Sequence, residues 1–398
     1  MLRKAVIVTI LLTTVLSVFA FSKKPVQAAK VIDFNFDYIR KTYEYDNNFI
    51  YSPYSIRNAF ASVYMGSKGN TADEIAMVFG FSAQKAFEKS FAAGLNNLNA
   101  IRKNGNVILN ISNGLWLQEG FPFNKTYLEV CTRAFKTDTR NLDFRTDPEV
   151  AGKINSWVNK NTNGMIKQII APGYDFSGTK LVVTNAIYFK GDWEHKFMES
   201  RTHKRKFNSF GTMISTDFML QKEKFNYAKV EDAAVVELPY KGKELSLMVI
   251  LPDGDLKSVL SKVVTEDIAA WKESMTLQKV NVIMPKFKME TSLQLTRDLN
   301  EMGMPTAFSG KADFTGMSDN GGIFISDVAH KAVIEVNETG SEAAASTMIG
   351  MTTSMPPNQE LPVDFIADHP FIYLIRDNVA GEILFIGIMA KPESSKKM

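Results

Sequence analysis

Hydrophobic and polar positions alternate with period two from Ala329 to Val336, and the chain then enters a run of small residues from Glu338 through Thr339, Gly340, Ser341, Glu342, Ala343, Ala344, Ala345 and Ser346 to Thr347. Continued with period two, Ser341, Ala343, Ala345 and Thr347 share one face, and each is small and uncharged enough to be buried in a sheet. The other face carries Glu342, Ala344, Ser346 and Met348. An alanine-rich run opening on a capping-type Ser beside an acid also fits a short helix. The next segment argues against a continuing helix: Gly350, Thr352-Thr353-Ser354, Pro356-Pro357 and Pro362 read as a long exposed loop. The run is therefore expected to be a strand held outside its sheet. Elsewhere helical periodicity dominates residues 35–170, and strand patterns dominate 180–250, 277–290, 323–337 and 362–390. On patterning alone this is a single large mixed α/β or α+β unit.

Composition narrows the function. With 398 residues and 45% hydrophobic content, the chain can bury a sizeable core. Its net charge of +3 is small, and the basic residues are scattered apart from Lys204-Arg205-Lys206 and Lys396-Lys397. A polyanion such as a glycosaminoglycan is left open as a partner without being indicated, and nothing points to nucleic acid. Residues 1–28 have the charge, apolar run and small-residue end of a signal peptide, with cleavage expected after Ala28, or after Ala20 as second choice. An uncleaved anchor is the competing reading, since the apolar run from Ala5 to Phe21 approaches a bilayer span. Secretion is expected. Cys131 is the only cysteine, so no internal disulfide can form, and it reads as a buried small hydrophobe. Sequons at Asn124, Asn337 and Asn110 are candidate glycosylation sites, with Asn110 doubtful because it lies in a strand-like run.

Enzymatic readings find no support. The four histidines, His195, His203, His330 and His369, carry no catalytic motif. There is no Gly-x-Ser-x-Gly elbow, no metal-spaced His or Cys pair and no phosphate-cradling loop. No catalytic residue, metal or cofactor is expected, and His330, with Ala332, Ile334 and Val336 on its face, reads as a hydrogen-bonded core histidine.

The order and spacing of many short motifs carry a resemblance. They include Asn48-Phe49-Ile50-Tyr51-Ser52-Pro53-Tyr54-Ser55-Ile56, Thr184-Asn185-Ala186-Ile187-Tyr188-Phe189-Lys190-Gly191-Asp192-Trp193, Met284-Pro285-Lys286-Phe287, His330-Lys331-Ala332-Val333 and Asp368-His369-Pro370-Phe371. Over almost the whole chain after residue 28, the sequence resembles the serpins, inhibitors of serine proteases with a mobile reactive loop, and in particular secreted inhibitory arthropod-type members. The resemblance implies helices around a large central sheet with two smaller sheets, a single domain over 29–398, a reactive loop at about 338–362, and a monomer. It implies that a target protease attacks the loop as substrate and forms an acyl-enzyme, and that the cut loop then inserts into the central sheet. Glu338 to Thr347 match the hinge. The family's spacing from Glu338 places the cut at Ser354-Met355, with Thr353 or Met351 as register alternatives. A small, neutral Ser354 implies an elastase-like target, the methionines a chymotrypsin-like one, and a trypsin-like pocket is disfavoured. Ser52, Ser55, Asn185, Trp193, Lys286 and His330 match positions that control sheet opening. The resemblance implies that Asn185 pairs with His330 beneath the sheet and that Lys286 meets Glu338 at its top. Hinges of non-inhibitory carriers and chaperones, the alternative function, commonly depart from this small-residue pattern. Inserting about 14 residues would add on the order of 14 backbone hydrogen bonds, about 7–20 kcal/mol, comparable with the ~5–15 kcal/mol stability of an ordinary domain.

Overall fold

The computed structural model describes residues 32–338 and 361–394. Its first half runs α1 (Phe34–Thr42), β1 (Phe49–Tyr51), α2 (Pro53–Gly66), α3 (Gly69–Phe79), α4 (Gln84–Lys103), β2 (Val107–Gln118), α5 (Lys125–Val130), β3 (Asp138–Leu142), α6 (Val150–Asn161) and β4 (Leu181–Gly191). The second half follows with β5 (His203–Ser209), β6 (Thr212–Val230), β7 (Ala233–Pro239), β8 (Leu245–Pro252), α7 (Leu256–Lys262), α8 (Thr265–Ser274), β9 (Thr276–Pro285), β10 (Phe287–Gln294), α9 (Thr296–Met302), β11 (Ile325–Val336), β12 (Val363–Ile366), β13 (Phe371–Asp377) and β14 (Ile383–Met389).

Local chemistry sets the elements that matter most. The α2 helix starts where Ser52 takes an extended backbone and its Oγ accepts the Ser55 N–H at 3.0 Å, with Pro53 at the first helical position. Its residues are buried almost throughout, so α2 is a core helix rather than an amphipathic one. Gly80 ends α3 in the left-handed region, φ +66°, which glycine adopts without penalty.

The described strands form two sheets. One has five strands in the order β10-β11-β4-β2-β3, and the other has nine, running β1-β14-β13-β8-β7-β6-β9-β12 with β5 on β6. Helices and mixed sheets agree with the expected class, but the two smaller sheets are joined. The cause is β6, which is 19 residues long. Its first part pairs with β5, its middle with β9 and its end with β7, so one strand serves both parts. Within the helix-dominated residues 35–170, the strand-like run at Asn110 is the start of β2, a central strand buried along most of its length.

The five-stranded sheet carries β11, the strand that precedes the segment expected to be a reactive loop. β11 is antiparallel to β10 on one side and parallel to β4 on the other. Its even residues, such as Ala332 and Ile334, pack into the body of the molecule. Its odd residues, Ala329 and Val333, pack against Ile154, Trp157 and Val158 of α6. Both faces are buried, so a strand placed beside β11 would be buried too.

Candidate functional site

The seam between β4 and β11 is paired from Ile325 opposite Leu181 to Ile334 opposite Phe189. The ladder stops short of Val336, whereas β10 follows β11 to Val336 opposite Phe287. Side chains close the seam at its top. Trp193 Nε1 donates to Asn337 O at 2.7 Å, and the Phe197 N–H donates to Glu338 O at 3.0 Å. Trp193 is held by a stack on Tyr240, centroids 4.6 Å apart and 9° from parallel, and by Phe197 edge-on at 5.9 Å. Gly191 permits this, because a Cβ there would stand 2.7 Å from Tyr240 Cδ1. Glu338 Oε1 accepts from Thr202 Oγ1 at 2.8 Å and from Lys286 Nζ at 3.2 Å. The Glu338 side chain is 9% exposed and that of Lys286 41%, so this is a half-buried pair. Burial pushes the Glu338 carboxyl up, but the hydrogen bonds from Thr202, the backbone and Lys286, with the lysine's charge, outweigh it and hold the carboxyl below its usual range.

A second clasp crosses the seam lower down. His330 and Asn185 face each other in the β11–β4 register. His330 Nε2 accepts the Ser52 N–H at 3.2 Å, which puts the ring proton on Nδ1, where it is donated to Asn185 Oδ1 at 2.5 Å. Asn185 Nδ2 donates to Ser55 Oγ at 2.6 Å, to Ser55 O at 3.0 Å and to Asn113 Oδ1 at 2.5 Å. Ser52 Oγ in turn donates to Leu384 O of the other sheet at 2.5 Å. His330 and both serines are fully buried, and Asn185 nearly so. Burial drives the histidine's pKa down to about 3, so the ring is neutral at physiological pH. The network therefore ties β4, β11, α2 and β14 together through hydrogen bonds that a strand entering the seam has to break.

The His330 network makes a pH prediction. Below its ordinary value of about 6.5 the unfolded chain binds a proton that the folded chain refuses until about pH 3, so stability falls as pH falls through that window and recovers as it rises. His330→Ala should cost about 2–4 kcal/mol at pH 7 through a cavity and unpaired polar groups. The gap from the parent should narrow by about 2 kcal/mol at pH 5. Urea unfolding of both proteins at the two pH values measures it; a gap that does not change with pH would refute the neutral clasp.

A model of the family described as "Serpin (serine protease inhibitor)" matches residues 29–392. The chain belongs to the serpin family. It is 39% identical over 360 residues to the leukocyte elastase inhibitor of Homo sapiens, covering 87% of this chain and 93% of that protein. Among solved structures, the native state of the thermophilic serpin tengpin superposes with a TM-score of 0.82 at 26% identity, covering 91% of this chain and 93% of that one. Serpin48 of the insect Tenebrio molitor gives 0.77 at 29% identity over 90% and 95% of the two chains. The expected arthropod-type character is thus a minor part of a likeness that extends across distant serpins.

The structure brings together Ser52, Ser55, Asn185 and His330 in one cluster, and Lys286, Glu338 and Trp193 in another. The remaining hinge residues, Gly340, Ser341, Glu342, Ala343, Ala344, Ala345, Ser346 and Thr347, and the candidate reactive-bond residues Met351, Thr353, Ser354 and Met355, lie outside the described residues, as does the segment 1–28. Sequence reading missed Thr202, Phe197 and Asn113 and assigned no role to Tyr240. Among the sequons, Asn110 lies in β2 and is only 8% exposed, which makes it a poor glycan acceptor in the folded serpin, in line with its strand-like run. Asn124 Nδ2 donates to Thr315 O, Gly316 O and Asp319 Oδ1, and Asn337 Nδ2 donates to Glu335 Oε1; a glycan at either would leave Nδ2 a single N–H to donate. Cys131 is buried, and burial pushes its thiol up to about 12.

Proposed function

We propose that this serpin is a secreted suicide-substrate inhibitor of serine proteases, cut at Ser354-Met355. The observation that carries the reading is the parallel β4–β11 seam beside the strand leading to the loop, held by breakable clasps. A protease's serine Oγ attacks the Ser354 carbonyl carbon, and the bond to the Met355 nitrogen breaks. The new amine leaves with a proton, and the protease keeps an acyl ester to Ser354. The segment after Glu338 then turns back antiparallel between β4 and β11. A central strand makes backbone bonds on both sides, about two per residue, while the separating strands lose about one, so the net gain is near the ~14 bonds reckoned for one ladder. Antiparallel pairing also replaces the slightly weaker parallel kind. The uncut form is a kinetic trap. Small Ser354, with the likeness to an elastase inhibitor, supports an elastase-like target, and Met355 or Met351 a chymotrypsin-like one. Export rests on residues 1–28; among the described residues no helix is long and apolar enough to cross a membrane.

Incubation with elastase-, chymotrypsin- and trypsin-like proteases tests this. An elastase-like enzyme should give a complex that survives denaturing electrophoresis, and mass spectrometry should find a released fragment beginning at Met355. Ser341→Arg should be cut without forming the complex. Cleavage alone by every protease would refute inhibition.

The top clasp makes a further prediction. An exposed ion pair contributes about 0–1 kcal/mol, but removing one partner of a half-buried pair strands the other. Glu338→Lys should loosen the seam and give polymers on mild heating, visible on native gels, and adding Lys286→Glu should suppress them. Equal polymerisation of single and double variants would exclude the pairing as the cause.

A further inference from the structure

Three lysines share one face of the sheet beside β12, the strand that follows the loop segment. In the antiparallel β6–β9 ladder Lys222 stands opposite Asn281, and Lys224 stands opposite Lys279. Like charges set directly across a ladder are destabilising. Lys222 and Lys224 are exposed and Lys279 is half-buried, and among the described residues none of the three forms an ion pair or a side-chain hydrogen bond. The acid in these rows, Asp364 of β12, is taken by Asn281 Nδ2 at 2.9 Å. Glu223 lies on the opposite face, as alternation requires. Leu277, two residues before Lys279 on the lysines' face, is 65% exposed. Charges that guard an open sheet edge would account for Lys222 and Lys224, because among the described strands β6 has no second partner between Phe218, where β5 ends, and Asn226, where β7 begins. They do not account for Lys279, which adjoins Val280, where β9 is paired on both sides.

Chain length fixes what is brought near this face. Ser354 is nine residues from Val363, the start of β12, a span of at most about 30 Å. An enzyme gripping Ser354 is therefore held close to the lysines, and a domain of about 200 residues, with a radius of gyration of about 16 Å, is broad enough to present more than its cleft to them. Screening sets the range of their field, about 30 Å in 0.01 M salt and about 8 Å in 0.15 M. Unpaired cations beside a docking point act on the rate of encounter more than on the strength of the final contact.

We infer that the face formed by Lys222, Lys224 and Lys279 steers proteases with an acidic surface around the active-site cleft onto the loop, and so selects among enzymes that share one pocket specificity. This rests on the inhibitory reading. The test is the association rate of the full chain with an elastase-like protease of net negative charge, and with one of net positive charge, at low and high salt. Replacing the three lysines together by alanine should slow the anionic enzyme about tenfold in about 0.01 M salt, and the difference should vanish in about 0.5 M salt. The stoichiometry of the complex should not change, and the cationic enzyme should not be slowed. Lys224→Glu, which sets an acid opposite Lys279, should raise the melting midpoint and yet slow the anionic enzyme, a combination that a structural role for the lysine would not give. Equal low-salt rates for the parent and the triple variant would overturn the steering face, and so would a loss that persists undiminished at high salt. A triple variant that differs from the parent only when heparin is added would also overturn it, in favour of a polyanion. If the parent forms no complex with either enzyme, the inhibitory reading itself has failed; if complexes form at unchanged stoichiometry and unchanged rates, only the steering face has.

Discussion

Cutting the loop near Ser354 should raise the melting midpoint by about 10–40 °C, the reverse of what nicking an exposed loop does to most proteins. The magnitude follows from insertion. A net gain of about 7–20 kcal/mol in backbone pairing, spread over the unfolding entropy of a chain this long, shifts the midpoint by somewhat less than the ~2–4 °C per kcal/mol of a 200-residue domain. Side-chain burial adds to it, because both faces beside β11 are covered, one by the body and one by α6. The relaxed state should appear only after cleavage, since the uncut loop is anchored at both ends of the described structure, at Glu338 and at β12. Calorimetry of the protein before and after limited cleavage reads the effect. An unchanged or lowered midpoint would mean that the segment stays outside the sheet.

Locking the seam should convert the inhibitor into a substrate. Ile187 and Ala332 face each other across β4 and β11 near the top of the paired region, and both are buried. Facing Cα atoms in a sheet lie about 4.8 Å apart, within the ~4.4–6.8 Å that a disulfide spans. Ile187→Cys with Ala332→Cys should therefore oxidise, and buried Cys131, with its raised pKa, should stay out of the exchange. In the oxidised protein the protease should still cut the loop, but the complex that survives denaturation should fall at least tenfold, and the thermal gain on cleavage should vanish. Reduction should restore both. An oxidised protein that traps its protease as well as the reduced one would exclude strand separation at this seam.

The contrast between what could be read and what could not follows the range of each interaction. The β11 alternation is local, and the sequence shows it directly. His330 with Asn185, and Lys286 with Glu338, are distant in the chain; they were reached through motif resemblance, and the structure places each pair in contact. Thr202 and Phe197 were not foreseen because a hydroxyl and a backbone N–H leave no pattern in sequence, although both hold Glu338 across more than a hundred residues. The joining of the two smaller sheets was hidden for a related reason: how far a strand extends past its partners is decided by tertiary pairing, here along β6. Asn110 shows the limit of a motif, since a sequon says nothing about burial.

The central claim is that the loop segment becomes a strand between β4 and β11, and the structure of the protein after cleavage near Ser354 tests it most directly. The account predicts β4 and β11 about 9–10 Å apart, twice the ordinary interstrand spacing, with the segment from Ser341 lying antiparallel between them and the His330–Asn185 bond broken. A cleaved structure in which His330 still faces Asn185 in an unbroken β4–β11 ladder would contradict it.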